Sequence, residues 1–159
     1  MKLTVNSSID DIFTAFTEAT PKAEKVKLVL QVISKSFPQA MALKTLIRFA
    51  YDDAISHSLP DGIPDIVYPE NKANLLDVPA TIKHIADFVD HPARPIPTDP
   101  KQKLLLQRKQ ELSFVKMLNT LNEHERTILC SCKDGQLNKM YKGLTKKFFQ
   151  ESIPGLISK

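Results

Sequence analysis

The sequence lacks the features that mark several large classes of protein. No run of about 18 apolar residues occurs, so no helix that could cross a bilayer is predicted. The first residues, MKLTVN, are too short and too polar for a secretory signal, and we expect a cytoplasmic protein without membrane contact. The two cysteines, Cys130 and Cys132, fit neither a disulfide framework nor a CxxC redox or zinc motif, which favours a reducing compartment.

Motifs for catalysis and phosphate binding are also absent from the sequence. The chain has 4 glycines, and it contains no Walker loop and no GxGxxG, GxSxG or HExxH motif. His84, Asp87 and His91 have the spacing of one helix face, but Pro92 disfavours helical backbone at His91, so we expect no metal site. We therefore predict a protein that works by binding rather than by catalysis, without a cofactor.

The sequence does contain the pattern of an all-α protein. Its 159 residues, 42% hydrophobic and 25% charged, suit one domain with one core. Apolar residues at helical spacing, together with capping residues, predict a compact bundle of about seven helices with two Pro-rich connections. The predicted helix starts are Ser7 or Ser8, Pro21, Pro38, Asp77, Asp99, Asn122 and Thr145.

Two proline-rich stretches interrupt the helical pattern. Residues 58–79 also hold several large apolar side chains, which favours an ordered loop packed against the core over a disordered linker. Residues 91–100 predict a stiff extended connector, either a hinge or a rigid surface link. The chain thus divides into an acidic helical part (1–91), a connector (92–100) and a basic helical part (101–159), which we expect to pack as one domain.

The longest predicted helix begins at Asp99 and reaches about Leu121. Its apolar residues suggest a face that packs on the core. Further on, Gly135 and Gly143 are expected to end or turn the chain with left-handed backbone. The core candidates of the long helix are Leu104, Leu105, Leu112, Val115, Leu118 and Leu121.

Charge is divided unevenly between the two parts. Residues 1–100 carry 10 Lys or Arg and 13 Asp or Glu, a net charge of −3, whereas residues 101–159 carry 12 and 5, a net charge of +7. An excess of positive charge favours an anionic partner for the second part, such as nucleic acid, an acidic protein or a lipid surface. Lysines scattered over solvated helices would give the same count.

Lysines and aromatic residues near the end of the chain form the candidate contact surface. The last helices loosely resemble a helix-turn-helix in layout. Their connection is longer than the usual turn, however, and no row of Arg, Asn or Gln stands ready to read base edges. The candidate partner-binding residues are Lys133, Lys139, Tyr141, Lys142, Lys146 and Lys147.

An ordered series of short segments resembles a family of small uncharacterised proteins of T-even-like tailed phages, including those of cyanobacteria. The resemblance covers roughly residues 40–159 and implies a phage origin and expression inside a bacterial host. It brings no activity and no catalytic residue with it. The segments that carry it are LPDGIP at 59–64, FVKML at 114–118, LCSCKD at 129–134, YKGLT at 141–145 and IPGLI at 153–157.

Three functional hypotheses follow from these observations. The leading one is a phage-encoded helical adaptor that binds a host or phage protein complex through the basic part. The second is a nucleic-acid-binding accessory protein of phage replication or transcription, whose binding would weaken steeply with salt. The third is a virion or assembly component. The sequence carries no signal of oligomeric state.

Overall fold

A computed structural model describes residue 3 and residues 7–36, 38–57, 59–70, 75–76, 78–90 and 97–157. The predicted all-α fold is confirmed for these residues, and an isolated antiparallel bridge pairs Ser56 with Asp90. A π-helical turn follows α2 and a 3-10 segment, Lys83–Asp87, follows α4. The α-helices are α1 (Ile9–Glu18), α2 (Lys22–Gln31), α3 (Ala40–Tyr51), α4 (Pro79–Ile82), α5 (Pro100–Thr120), α6 (Glu123–Lys133), α7 (Leu137–Met140) and α8 (Lys146–Ser152).

Side-chain caps fix several helix starts where the sequence predicts them. The Ser8 hydroxyl accepts from the Asp11 N–H at 3.1 Å, and the Asp11 carboxylate accepts from the Ser8 N–H, which completes a capping box at α1. Asn122 caps α6 by accepting from the Glu125 N–H at 2.8 Å, and Thr145 caps α8. These bonds satisfy N–H groups that a helix cannot satisfy by itself.

One hydrophobic core draws on both the acidic and the basic part of the chain. Helix α3 packs against α6 across this core, and α5 packs against the 3-10 segment. A row of aromatic rings crosses the core: the Phe88 ring centre lies 5.8 Å from that of Phe49 and 5.2 Å from that of Phe114. Edge contacts between rings add to the stabilisation from burial alone.

Several helix boundaries differ from the sequence prediction. The apolar pattern after Pro38 predicts a helix that reaches about His57. Helix α3 ends instead at Tyr51, because Asp52 adopts extended backbone and its side chain pairs with Arg48 at 3.2 Å. The fourth helix changes to 3-10 geometry after Ile82, and the short α7 was not predicted. The connector at residues 91–96, including His91, lies outside the described residues.

The prediction that Leu104, Leu105 and Leu112 belong to the core is wrong. Their exposed fractions are 49%, 64% and 71%. Residues 100–105 and 107–109 are all exposed, so the first half of α5 extends past the core on which its second half packs. The buried side chains of α5 begin only at Gln110 and are Gln110, Phe114, Met117 and Leu118.

Gly143 has a φ of +93°, as its position in the turn before α8 led us to expect. Replacing Gly143 by Val should lower the free energy of unfolding by about 2 kcal/mol, because a β-branched residue is strained at this φ. Gly143→Asn is the matched control and should cost less, since asparagine tolerates left-handed backbone. Urea unfolding of both variants measures the difference; equal stability of Val and wild type would contradict the strained turn.

Candidate functional site

Lys133 is buried and cannot belong to a contact surface. It is 4% exposed, and its ammonium group donates to the Pro60 carbonyl and to Asp134 Oδ1, the latter at 2.6 Å. The same ammonium lies 5.8 Å from the centre of the Phe114 ring. The sequence prediction is therefore wrong for Lys133: its charge is used inside the fold, where it fixes the proline-rich loop to the end of α6.

Tyr141 is likewise buried, at 5% exposure, which removes it from the predicted surface. Its hydroxyl donates to Asp10 Oδ1 at 2.6 Å, and His124 Nε2 lies 2.9 Å from the same oxygen. Burial disfavours the ionised form of Asp10, but the contacts with Tyr141 and His124 outweigh it and lower the pKa of Asp10. Burial and the bond to Asp10 raise the pKa of Tyr141. This cluster joins α1 to the second half of the chain.

The remaining predicted lysines do not form one free basic face. Lys146 pairs with Asp53 of the acidic part at 2.7 Å. Lys139, Lys142 and Lys147 are exposed, and Lys147 lies with two lysines of α2 around a depression of about 360 Å³. Of those two, Lys22 pairs with Glu151 at 2.7 Å and Lys25 lies 5.8 Å from the Phe148 ring centre.

Exposed leucines and basic residues lie together on α5, on the side of the helix opposite its buried residues. Residues at positions 101, 105, 108, 112 and 116 follow a helical spacing of three or four and so share one face. Two of them are the exposed leucines Leu105 and Leu112, and cations flank both. Among the ion pairs formed by the described residues, none involves a cation of α5. We call this surface the basic leucine face; it consists of Lys101, Leu105, Arg108, Lys109, Leu112 and Lys116.

The charges at the start of α5 do not serve helix stability. Lys101 and Lys103 lie in the first turn, which carries no acidic residue. Positive charge there opposes the helix dipole and costs about 0.3–1 kcal/mol per residue. Asp99 caps the helix by accepting from the Lys101 N–H at 3.1 Å, but it cannot remove this repulsion. These lysines lower the stability of the helix, and the neighbouring leucines are exposed to water. Such a combination is typical of a binding surface.

A second exposed apolar surface has the opposite charge. Residues 61–70, which we call the acidic loop, contain three acidic residues and no basic one. Ile63 and Ile66 are 46% and 44% exposed, and Val67 is 97% exposed. Beside this loop lies a depression of about 810 Å³, lined by Glu70 of the loop and by residues of α6 that include Glu123, His124 and Arg126. The acidic residues of the loop are Asp61, Asp65 and Glu70.

Contacts at both ends hold the acidic loop in place. Lys133 binds the Pro60 carbonyl, and Asp134 Oδ2 accepts from the Gly62 N–H at 3.0 Å. At the other end, the Arg126 guanidinium lies 4.5 Å from the centre of the Tyr68 ring. The loop therefore presents its apolar side chains in a fixed arrangement, which lowers the entropy lost on binding.

The cysteines lie inside the core. Burial raises the pKa of Cys130 to about 11, and burial also raises the pKa of Cys132. Both thiols are therefore protonated near neutral pH, whereas a nucleophilic or metal-binding cysteine needs the thiolate. Cys130 is 3% exposed and Cys132 is fully buried, so both serve as small core residues.

Replacing Lys133 by Met should lower the free energy of unfolding by about 3 kcal/mol, because it leaves Asp134 and the Pro60 carbonyl without their buried partner. Lys142→Met is the matched control, since Lys142 is exposed and its loss should change stability by no more than about 0.5 kcal/mol. Urea unfolding gives both values, and limited proteolysis should cut the acidic loop faster in the Lys133 variant. Equal stability of the two variants would show that Lys133 does not anchor the loop.

Asp10 should make the stability of the protein depend on pH. A carboxyl group whose pKa is lowered by folding stabilises the fold above its unfolded pKa of about 4, and this contribution is lost as pH falls through the lower folded pKa. Asp10→Asn should therefore be less stable than wild type at neutral pH, and the difference should shrink in acid. Urea unfolding from about pH 7 to about pH 2 measures it; a difference independent of pH would contradict the assigned contacts.

Comparison with protein-family models, curated proteins and solved structures finds no match for this chain. In the ranges that the structure describes, no helix has both the length and the apolar character needed to span a membrane. The same residues contain no group of three or more His, Cys, Asp or Glu arranged to hold a metal ion. The candidate site consists of the basic leucine face and the acidic loop.

Proposed function

We propose that this protein is a non-enzymatic helical adaptor whose basic leucine face binds an acidic, partly apolar surface of a partner protein. The observation that carries the proposal is the exposure of Leu105 and Leu112 on the side of α5 opposite its core residues, between cations that form no ion pair with any described residue. The opposite side of α5 packs on the core through Gln110, Phe114, Met117 and Leu118. The basic leucine face is free to enter a groove or lie along another helix.

Energetics favour a protein partner for this face. Burying what is exposed of the two leucines would contribute on the order of 3 kcal/mol. The surrounding cations would raise the association rate and the selectivity for acidic surfaces. Their effect on the affinity itself would be smaller. In a nucleic-acid complex, by contrast, the cations would contact phosphates, but Leu105 and Leu112 would have no apolar partners.

The acidic loop gives the adaptor a second contact region of different character. Because Lys133 and Arg126 hold its ends, the loop can present Ile66 and Val67 without a large ordering cost. Two regions with opposite charges on one chain suit a protein that joins two different surfaces. The loop includes residues 61–64 of the LPDGIP segment.

We further propose that the adaptor is phage-encoded and acts on a host or phage complex in the cytoplasm of a bacterial host. This part of the proposal rests on the segments at 59–64, 114–118, 129–134, 141–145 and 153–157, which resemble the phage family. It is tested by proteomics of infected cells: the partner should be recovered in the soluble fraction, and recovery of the chain in purified particles would favour a virion component.

Nucleic-acid binding is the second candidate function. It is favoured by the position of Lys147 beside Lys22 and Lys25 of α2, around the depression of about 360 Å³. Lysines that converge from two helices can contact a phosphate backbone without reading sequence. Such binding would fall steeply as salt is raised.

The double variant Leu105→Gln, Leu112→Gln tests the adaptor. Glutamine keeps helix propensity, so the free energy of unfolding should change by no more than about 0.5 kcal/mol. The tagged variant should recover at least about tenfold less partner protein from infected-cell lysate than wild type, a loss that corresponds to about 1.4 kcal/mol. Quantitative mass spectrometry after affinity capture, with and without nuclease, gives the comparison.

The matched control is Lys142→Gln, Lys147→Gln, which changes two exposed lysines outside the basic leucine face. Capture by this control should equal that of wild type and should survive nuclease treatment. If the control loses its partner while the leucine variant keeps it, the adaptor surface is wrong. If nuclease also removes the partner from wild type, nucleic-acid binding replaces the adaptor.

A further inference from the structure

The two exposed apolar surfaces of this chain have opposite charges. The acidic loop carries Asp61, Asp65 and Glu70 around the exposed Ile66 and Val67. The basic leucine face carries four cations around two exposed leucines. Both surfaces therefore have an apolar centre, and the charges around one are opposite in sign to those around the other.

The two surfaces cannot satisfy each other within one molecule as it is folded. Lys133, which anchors the loop, lies 5.8 Å from the Phe114 ring centre. Phe114 is on the buried side of α5, whereas Leu105 and Leu112 are on the opposite side. The high exposure of Val67 and of both leucines shows that neither surface is covered by its own chain.

We propose that the acidic loop of one copy docks on the basic leucine face of a second copy, so that the protein self-associates head to tail. The contact would bury Ile66 and Val67 against Leu105 and Leu112, with carboxylates of the loop facing the cations of α5. This inference rests on the proposed function, because it uses the same face of α5. It adds that a second copy competes with the external partner for that face.

The proposed contact is heterologous, since it joins different surfaces of the two copies. Every bound copy then leaves one loop and one helix face open, and assembly continues until a ring closes or a filament forms. A symmetric dimer made by two copies of α5 would instead bring like charges together, because its interface would contain Arg108 and Lys109 of both copies. The charge pattern of the face thus disfavours the symmetric alternative.

Sedimentation velocity of the full chain at concentrations up to about 1 mM tests self-association. The weight-average mass should rise above the monomer mass of 17.9 kDa as concentration increases. It should fall back towards the monomer when salt is raised to about 1 M, where exposed charges are largely screened. A protein that stays monomeric at every concentration in low salt overturns the proposal.

Two variants that each remove the apolar centre of one surface test the pairing. The helix variant is Leu105→Gln, Leu112→Gln, and the loop variant is Ile66→Gln, Val67→Gln. Each alone should remain a monomer, because each lacks one half of the contact. An equimolar mixture should form a dimer that grows no further, because only the loop of the helix variant can meet the α5 face of the loop variant.

Other outcomes of the mixing experiment overturn the pairing. Continued self-association of the loop variant alone would mean that α5 pairs with itself, and a mixture that stays monomeric would mean that the loop does not reach α5. Circular dichroism of both variants establishes that they remain folded. Since the replaced side chains are exposed, loss of folding is not expected.

The experiments separate this inference from the proposed function. If wild type stays monomeric but capture of the partner still requires Leu105 and Leu112, the self-association is wrong and the adaptor stands. If self-association requires these leucines but capture does not, the adaptor surface is wrong and the head-to-tail contact stands. The loop variant should capture the partner that binds the α5 face at least as well as wild type, because that face is intact and no second copy competes for it.

Discussion

The ammonium group of Lys133 is the interaction on which the arrangement of the surface depends. It lies at the C-terminal end of α6, where cations complement the helix dipole, and it binds both Asp134 and the Pro60 carbonyl. His57 strengthens the same junction with two hydrogen bonds. Its Nδ1 accepts from the Leu59 N–H at 3.1 Å. Its Nε2 therefore carries the proton and donates to the Lys133 carbonyl at 2.8 Å. The start of a proline-rich loop, which has few hydrogen bonds of its own, is thereby fixed to a helix end.

Local signals were sufficient to predict the helices, because caps and glycine turns depend on neighbouring residues. Ser8, Asn122 and Thr145 accept the N–H bonds that their positions imply, and Gly135 and Gly143 have positive φ values. The end of α3 depended instead on Asp52 pairing back to Arg48, which periodicity alone does not reveal. The helical class was thus predictable, whereas individual boundaries required tertiary contacts.

The candidate site was harder to predict, since net charge along the chain does not say which charges remain free. Lys133 and Lys146 pair with Asp134 and Asp53, one a neighbour in sequence and the other far away in the acidic part. The basic leucine face could have been found from the sequence by placing residues 101–116 on a helical wheel. The sequence prediction missed this face because it assigned every leucine of the long helix that it named to the core. Leu105 and Leu118, however, cannot lie on the same side of one helix.

Stability and recognition use opposite sides of α5, and the first half of the helix packs little against the core. From Gln110 onwards the helix is held by Phe114, Met117 and Leu118, and the Gln110 side chain donates to Asp90 at 2.9 Å. The preceding ten residues extend about 15 Å, and all but Leu106 are exposed, so changes at the exposed positions cost little folding free energy. A surface free of folding constraints can keep lysines that oppose the helix dipole and leucines that face water. Because α5 is one continuous helix, its packed half holds the exposed half in a fixed direction, which lets a recognition surface be rigid without contributing to the core.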